Sequence, residues 1–243
     1  MDLSFYTAAV GANAQQKRMD IIANNLANIN TDGYKTQSAG FVDLLYSKYY
    51  RAGTDDHRKD PETGVGARVE KTDILYAQSG FTGTGAAGIY DFAIAGEGFF
   101  AVYDNGTGDV FYTRNGQFSL SEYATNMFYL VNDEGYIVLD ENWGLVRVDP
   151  DDEQANLNLG VFDFVSKEGM LLRGNNLYSP VEKNGPPFIN ENARVLSGHL
   201  EISNVDLAHE MSRVIETQRI YQMTLKMLQT SDEVEVTINN LRG

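Results

Sequence analysis

The sequence predicts an α+β protein: a discontinuous coiled coil of N- and C-terminal helices plus a central, mainly antiparallel β domain. Three observations predict it. Each end of the 243-residue chain repeats apolar residues in alternating steps of three and four, while the middle alternates short β-branched and aromatic runs with turn signals. Charge divides the same way: of 34 Asp and Glu and 19 Lys and Arg, residues 36–197 hold 24 acids and 12 bases, whereas residues 1–35 hold three of each. A near-neutral apolar rod beside a charged head is the pattern of helices buried in an assembly with the head in water.

At the N-terminus, Phe5, Ala8, Ala12, Gln15, Met19, Ile22, Leu26 and Ile29 form a heptad stripe with one polar member. It predicts a helix of about 28 residues, roughly 42 Å long. Thr31-Asp32-Gly33 supplies the stop, since glycine tolerates the left-handed conformation common just past a helix end. The first segment is therefore residues 1–31. Residues 32–80, with Phe41, Leu44, Tyr46, Tyr49 and Tyr50, read as an extended linker or arm.

Residues 81–195 read as the β domain. Strands are expected at 99–103, 110–113, 117–120, 127–131, 135–139, 144–148, 159–165 and 169–173, joined as a β-meander. Asn105-Gly106 and Asn115-Gly116 are read as hairpin turns, because both positions accept positive φ; Asp133-Glu134-Gly135 and Asn142-Trp143-Gly144 are further turns. Residues 196–206 form a return linker.

The C-terminal helix is expected over 207–243, with Asp206 as N-cap and Leu207, Met211, Val214, Gln218, Tyr221, Leu225 and Leu228 as its seam. The phase shifts at Asp232 and Glu235 to Val234, Ile238 and Leu241. Ile220, Met223 and Met227 make a second apolar stripe, so one stripe packs on the N-terminal helix and the other seeks a different partner. Gln15 and Gln218, each fourth in its stripe, are expected to meet. Helices of this kind are marginal alone in water. Both ends of an isolated monomer are therefore expected to be mobile.

Other chemistry finds little support. A net charge of −15 and a pI of about 4.5 repel phosphate backbones and anionic lipid surfaces, which argues against nucleic-acid partners. No apolar run is long enough for membrane insertion, and the first residues lack the layout of a cleavable signal peptide. Cysteine is absent, which removes disulfides and thiolate metal sites. Gly83-Thr84-Gly85-Ala86-Ala87-Gly88 matches a dinucleotide fingerprint in letters, but a strand rather than a helix is expected after it. The acidic run Asp149-Pro150-Asp151-Asp152-Glu153 lacks the glycine and glutamate of a calcium loop. His57, His199 and His209 have no ligand spacing. The expectation is no enzyme, no cofactor and no metal.

Three motif groups then carry a resemblance. Residues Ile22 to Lys35, reading IANNLANINTDGYK, are similar to the signature of bacterial flagellar rod and hook proteins. Ser203-Asn204-Val205-Asp206, Gln218-Arg219-Ile220-Tyr221 and Gln229-Thr230-Ser231-Asp232-Glu233 resemble that family's C-terminal elements. Residues Asp91 to Phe100 and Tyr112 to Gly116 resemble the start of its central domain.

The resemblance implies a structural subunit of the basal-body rod. Such a subunit is exported unfolded by the flagellar type III apparatus, without signal cleavage, and polymerises into a tubular drive shaft between motor and hook. Its partners would be copies of itself, other rod and hook proteins, and the export apparatus. Its place would be the basal body, outside the cytoplasmic membrane. Phe41 to Tyr46 looks most like the distal rod member; a proximal rod protein or a hook-basal-body paralogue is the alternative. A different class, an adhesive or carbohydrate-binding β module, would predict binding by the middle domain with dispensable helices. Assembly contacts are expected at Asn24, Asn25, Leu26, Asn28, Asn30, Gly33 and Tyr34, at Ser203, Asn204, Val205 and Asp206, and at Gln218, Arg219, Ile220, Tyr221, Met223 and Met227. The arm over 36–64 is expected to supply rigidity.

Overall fold

Small residues decide how the two ends of the chain meet. The computed structural model describes residues 3–44, 46–48, 62–64, 66–85, 88–124, 127–148 and 157–242. Tyr49, Tyr50, His57 and the acidic run 149–153 lie outside the described residues. The chain forms two units, one of residues 1–26, 37–73 and 206–243, the other of residues 27–36 and 74–205. The stretch read as one arm, 32–80, is thus shared between them.

In the first unit, helix α1 (Leu3–Ala27) runs antiparallel to helix α2 (Leu207–Arg242). Ser4 Oγ lies 2.8 Å from Ser231 Oγ, Thr224 lies beside Gly11, and Arg18 pairs with Glu216 at 3.4 Å. The α1 stripe from Phe5 to Leu26 is buried or half-buried throughout; the helix ends at Ala27, so Ile29 falls in the turn beyond it.

The α2 seam differs from the expected one. Asp206 is the N-cap, its carboxylate accepting from the Ala208 and His209 N–H groups at 2.9 and 3.2 Å. The inward positions are Glu210, Val214, Thr217, Tyr221, Thr224, Leu228 and Ser231, whereas Leu207, Met211, Gln218 and Leu225 are exposed. The apolar residues of α2 occupy more than one stripe, so periodicity alone does not choose a face. Packing chooses the face whose Thr217, Thr224 and Ser231 are small enough for the Ala- and Gly-rich side of α1 to approach. Gln218 consequently points away, and the expected Gln15–Gln218 meeting does not occur. The phase shift near Asp232 has no packing consequence, since Val234, Ile238 and Leu241 are all exposed.

Also in this unit, β1 (Gln37–Asp43) pairs with β4 (Ala67–Ile74), and between them β2 (Tyr46–Lys48) pairs antiparallel with β3 (Glu62–Gly64). A two-stranded ribbon therefore occupies what sequence reads as an arm.

The second unit contains β5 (Phe81–Gly83), β6 (Phe92–Ala95), β7 (Phe99–Tyr103), β8 (Val110–Thr113), β9 (Ser119–Ala124) and β10 (Met127–Val131). After these come β11 (Ile137–Val138), β12 (Arg147–Val148), β13 (Val161–Asp163), β14 (Leu171–Gly174), β15 (Leu177–Ser179), β16 (Phe188–Ile189), β17 (Arg194–Ser197) and β18 (His199–Glu201). The main sheet has the order β12-β10-β11-β7-β8-β15-β14, with β9 on β10, and β13 on β7 carrying β16. This is not the expected meander, because β7 and β8 sit at the centre and later strands add to both sides. Strands β17 and β18 return to pair with β6 and β5.

On β7, Phe100 and Val102 enter one core with Phe92, Ile94, Leu130 and Val138; Phe99 and Ala101 enter a second with Tyr112, Phe162, Phe164 and Tyr178. Burial on both faces explains why this strand reads as a continuous apolar run. The Asn-Gly readings need correction. The β7–β8 turn spans 104–109, with Asp104 accepting from Gly106 N–H and Thr107 Oγ1–H at 2.8 Å, and Gly108 rather than Gly106 takes positive φ, +80°. Asn115-Gly116 is not a hairpin turn at all: β9 pairs with β10, and any side chain on Gly116 would collide with the Phe92 carbonyl. No helix opens at Gly88, whose carbonyl accepts from Asp91 N–H just before β6.

Candidate assembly surfaces and the signature residues

The asparagines that end α1 are short amides with both a donor and an acceptor, so each can replace a strand partner at a chain end. Asn25, fully buried, does this for the start of β1: its Oδ1 accepts from Gln37 N–H at 2.9 Å and its Nδ2 donates to Gln37 C=O at 2.8 Å. Asn28 closes the turn, its carbonyl accepting from Thr31 N–H at 3.2 Å.

In the second unit the same logic is repeated around Asn204. Its Oδ1 accepts from both Thr36 N–H and Thr36 Oγ1–H at 2.7 Å, and its Nδ2 donates to the Leu75 and Ala77 carbonyls at 2.8 and 3.1 Å. Beside it lies a buried ionic cluster. Lys35 Nζ donates to Glu201 Oε1 at 2.7 Å and to Ala77 C=O at 2.9 Å. Arg114 donates to Glu201 Oε2 at 3.1 Å, to Ile94 C=O at 3.3 Å and to Gly96 C=O at 2.7 Å. Ser79 N–H completes the shell of Oε1 at 2.9 Å. Burial pulls Lys35 and Arg114 below their ordinary pKa values, and the neighbouring Glu201 carboxylate opposes that pull. One carboxylate thus serves two cations and a backbone amide with almost no water present.

Gly33 fits this corner for a steric reason. Its φ is +69°, its N–H donates to the Glu201 carbonyl at 2.6 Å, and a Cβ would sit 2.5 Å from Asn115 N. Asp32 lies near Asp91, and burial together with that charge raises its pKa.

These placements sort the expected contact residues. Asn25, Gly33, Tyr34, Ser203 and Val205 are buried within their own chain. Leu26, Asn28 and Asn204 are half-buried, and Asp206 is engaged as a helix cap. Asn24, Asn30, Gln218, Arg219, Met223 and Met227 are exposed, with Ile220 and Tyr221 half-buried at the seam's edge. Lys35, Arg114 and Glu201 were missed as key residues. A signal existed, since Lys35 and Arg114 lie inside the quoted motifs and Glu201 two residues before Ser203.

What remains open is the outward side of α2. Met211, Ile215, Met223, Met227, Val234 and Ile238 are all about half or more exposed, and exposed apolar surface of this extent marks an interaction site. Among the described residues no group of His, Asp and Glu is placed to hold a metal ion, and no helix is long and apolar enough to cross a membrane.

Three family models match the chain in order: flagella basal body rod protein over residues 5–35, the flagellar hook protein FlgE/F/G D1 domain over 93–161, and the flagellar basal body rod FlgEFG protein C-terminal region over 196–241. The first and last contain Asn25, Lys35, Glu201 and Asn204; the middle one contains Arg114. Among curated relatives, the flagellar basal-body rod protein FlgG of Buchnera aphidicola (from Schizaphis graminum) is 31% identical, covering 98% of this chain and 99% of its own. That of Borreliella burgdorferi is 33% identical, covering 98% of both chains. The flagellar hook-basal body complex protein FlhP of Bacillus subtilis is 29% identical over 98% of this chain and 99% of its own. The helical ends, the β domain between them and full-length similarity agree: the chain belongs to the flagellar basal-body rod protein family and is a structural subunit of the flagellar basal body.

Proposed function

We propose that this subunit is of the distal rod type, that it is exported unfolded, and that copies of it polymerise through the helical unit into a tubular drive shaft between motor and hook. The observation that carries the reading is the outward face of α2, where Met211, Ile215, Met223 and Met227 lie exposed on a helix already paired along its other side. Burying such a face between copies contributes about 25 cal/mol per Å² of apolar surface. A contact between different faces of identical subunits continues into an open helical assembly where its rotation does not close a ring. Asn24 and Arg219 are assigned to intersubunit contacts of the helical unit and Asn30 to one of the second unit, and the β1–β4 ribbon is assigned the role of stiffening the shaft. The work of the chain is mechanical, and we assign no catalytic residue.

Relatives named FlgG that align over nearly the whole chain support the distal assignment. The similarity to FlhP favours a second reading, a hook-basal-body paralogue. Deleting the gene and imaging purified basal bodies tests the first. Bodies that lack the rod segment next to the hook, restored by the wild-type gene, are expected; an intact rod and normal swimming would refute the proposal.

A further inference from the structure

A groove in the helical unit, about 460 Å³, runs along α1 beneath the β1–β4 ribbon. Tyr6, Val10 and Lys17 line one wall, and Leu44, Arg68 and Val69 the other. Its floor is largely apolar, and each wall carries one base, Lys17 on α1 and Arg68 on β4. Among the described residues Arg68 has only a loose, exposed pairing with Glu70 at 3.8 Å.

The end of α2 has the complementary design. Ser231 lies opposite Ser4, so the helix from Asp232 to Arg242 runs on past Leu3, the first described residue of α1. That overshoot is about 16 Å long at about 1.5 Å per residue, as is the Tyr6–Lys17 stretch of α1. At about 100° per residue, Val234, Ile238 and Leu241 share one face, with Glu233 and Glu235 about 100° to either side of Val234. All three apolar residues are exposed. An apolar ridge flanked by two acids matches an apolar groove flanked by two bases, in length as well as in charge.

We infer that the groove between α1 and the ribbon receives the overshooting end of α2 from a second copy of this chain, Val234, Ile238 and Leu241 entering it between Lys17 and Arg68. The inference rests on the polymerisation proposed above and names one of its contacts. Groove and ridge are different surfaces of one molecule, so the contact is heterologous and each copy that joins leaves a free groove or ridge for the next.

Because the chain has no cysteine, engineered thiols report on this contact alone. Within one chain Asn13 lies level with about residue 222, so Ile238 is about 24 Å away along the helix axis, beyond the ~7 Å Cα separation a disulfide spans. Cells carrying Asn13→Cys and Ile238→Cys in the same gene copy would be oxidised, and their basal bodies isolated and run without reductant. A ladder of covalent oligomers is expected, with either single substitution giving monomer only. Swimming cells whose double variant stays monomeric would overturn the groove contact while leaving the rod reading intact. Cells that swim normally without the gene would sink the rod reading itself. If the cysteine variant does not assemble, charge reversal decides: Lys17→Glu with Arg68→Glu is expected to reduce swimming at least tenfold. Adding Glu233→Lys with Glu235→Lys should restore it, and failure of either effect refutes the pairing.

Discussion

Lys35 and Glu201 are 166 positions apart in sequence and 2.7 Å apart in space, both side chains wholly shielded from water. The pair joins the turn that follows α1 to the strand that precedes α2, and Arg114 anchors the same carboxylate to the β domain. Burying ions is costly, so such a cluster is weak evidence of net stability. Its value lies in geometry, since only one register of the three segments satisfies every charge.

Removing the shared carboxylate is expected to be worse than removing either cation. Glu201→Ala leaves two buried cations facing each other and should cost about 3–5 kcal/mol, whereas Lys35→Met leaves the Arg114 pairing and should cost about 1–3 kcal/mol. Urea denaturation followed by aromatic circular dichroism measures both. Equal costs would contradict the role given to Glu201.

Asn25 uses donor and acceptor together, so a substitution that keeps only one should separate them. Asn25→Asp retains the acceptor for Gln37 N–H but sets a carboxylate against the Gln37 carbonyl. A loss of about 1–3 kcal/mol is expected, with Asn25→Ala similar. Hydrogen exchange at the Gln37 amide should rise in Asn25→Ala, which loses the acceptor, and stay near the parent rate in Asn25→Asp, which keeps it; an unchanged rate in Asn25→Ala would count against the bond.

The helix seam holds polar atoms with no partner among the described residues: Gln15 Oε1, Glu210 Oε2 and Thr217 Oγ1. Thr217→Val removes a buried, unbonded hydroxyl at nearly constant shape. It should stabilise the helical unit by about 1 kcal/mol, seen as a higher melting temperature by far-ultraviolet circular dichroism. A destabilised variant would show that the hydroxyl is bonded in solution.

Alkaline pH should unfold the β unit through its tyrosines. Burial raises Tyr112 to about 12 and raises Tyr76 and Tyr178 as well. Between pH 10 and 12 the unfolded chain sheds phenolic protons that the folded one retains, so stability falls as pH rises. Lys35 acts in the opposite sense, because its lowered folded value makes the unfolded chain the stronger proton binder up to its ordinary pKa of 10.5. Above that only the tyrosine contribution remains. Phenolate absorbance should therefore rise in two steps, the second coinciding with loss of circular dichroism; a single step with the fold intact would contradict this.

Much of this architecture was legible in sequence, for reasons that also explain the failures. The α1 stripe from Phe5 to Leu26 reads correctly, since each of its members is buried or half-buried, although Tyr6, Ala9 and Val10 give the helix a second apolar side. On α2 two apolar stripes compete, and the choice of Thr217 over Gln218 depends on how closely α1 can approach, which is a property of the pair. Strands β7, β8 and β10 are visible as aromatic runs bounded by turns, but their order is set by partners far along the chain, such as Leu177 against Thr113. Gly116 reads as a turn residue, although its lack of a side chain serves contact with Phe92. The signature residues were legible as important, while the burial of Asn25, Gly33 and Ser203 was not, because it depends on residues far along the chain such as Glu201 against Gly33.

The central claim is that the signature residues hold the subunit together and the outer face of α2 joins it to others. Peroxide oxidation of methionines, read by mass spectrometry on the purified subunit and on isolated basal bodies, tests this without any substitution. Met223 and Met227, 61% and 66% exposed, should oxidise in the free subunit and be spared in the basal body, with Met170, 5% exposed, spared in both. Equal oxidation of Met223 and Met227 in the two samples would contradict the account.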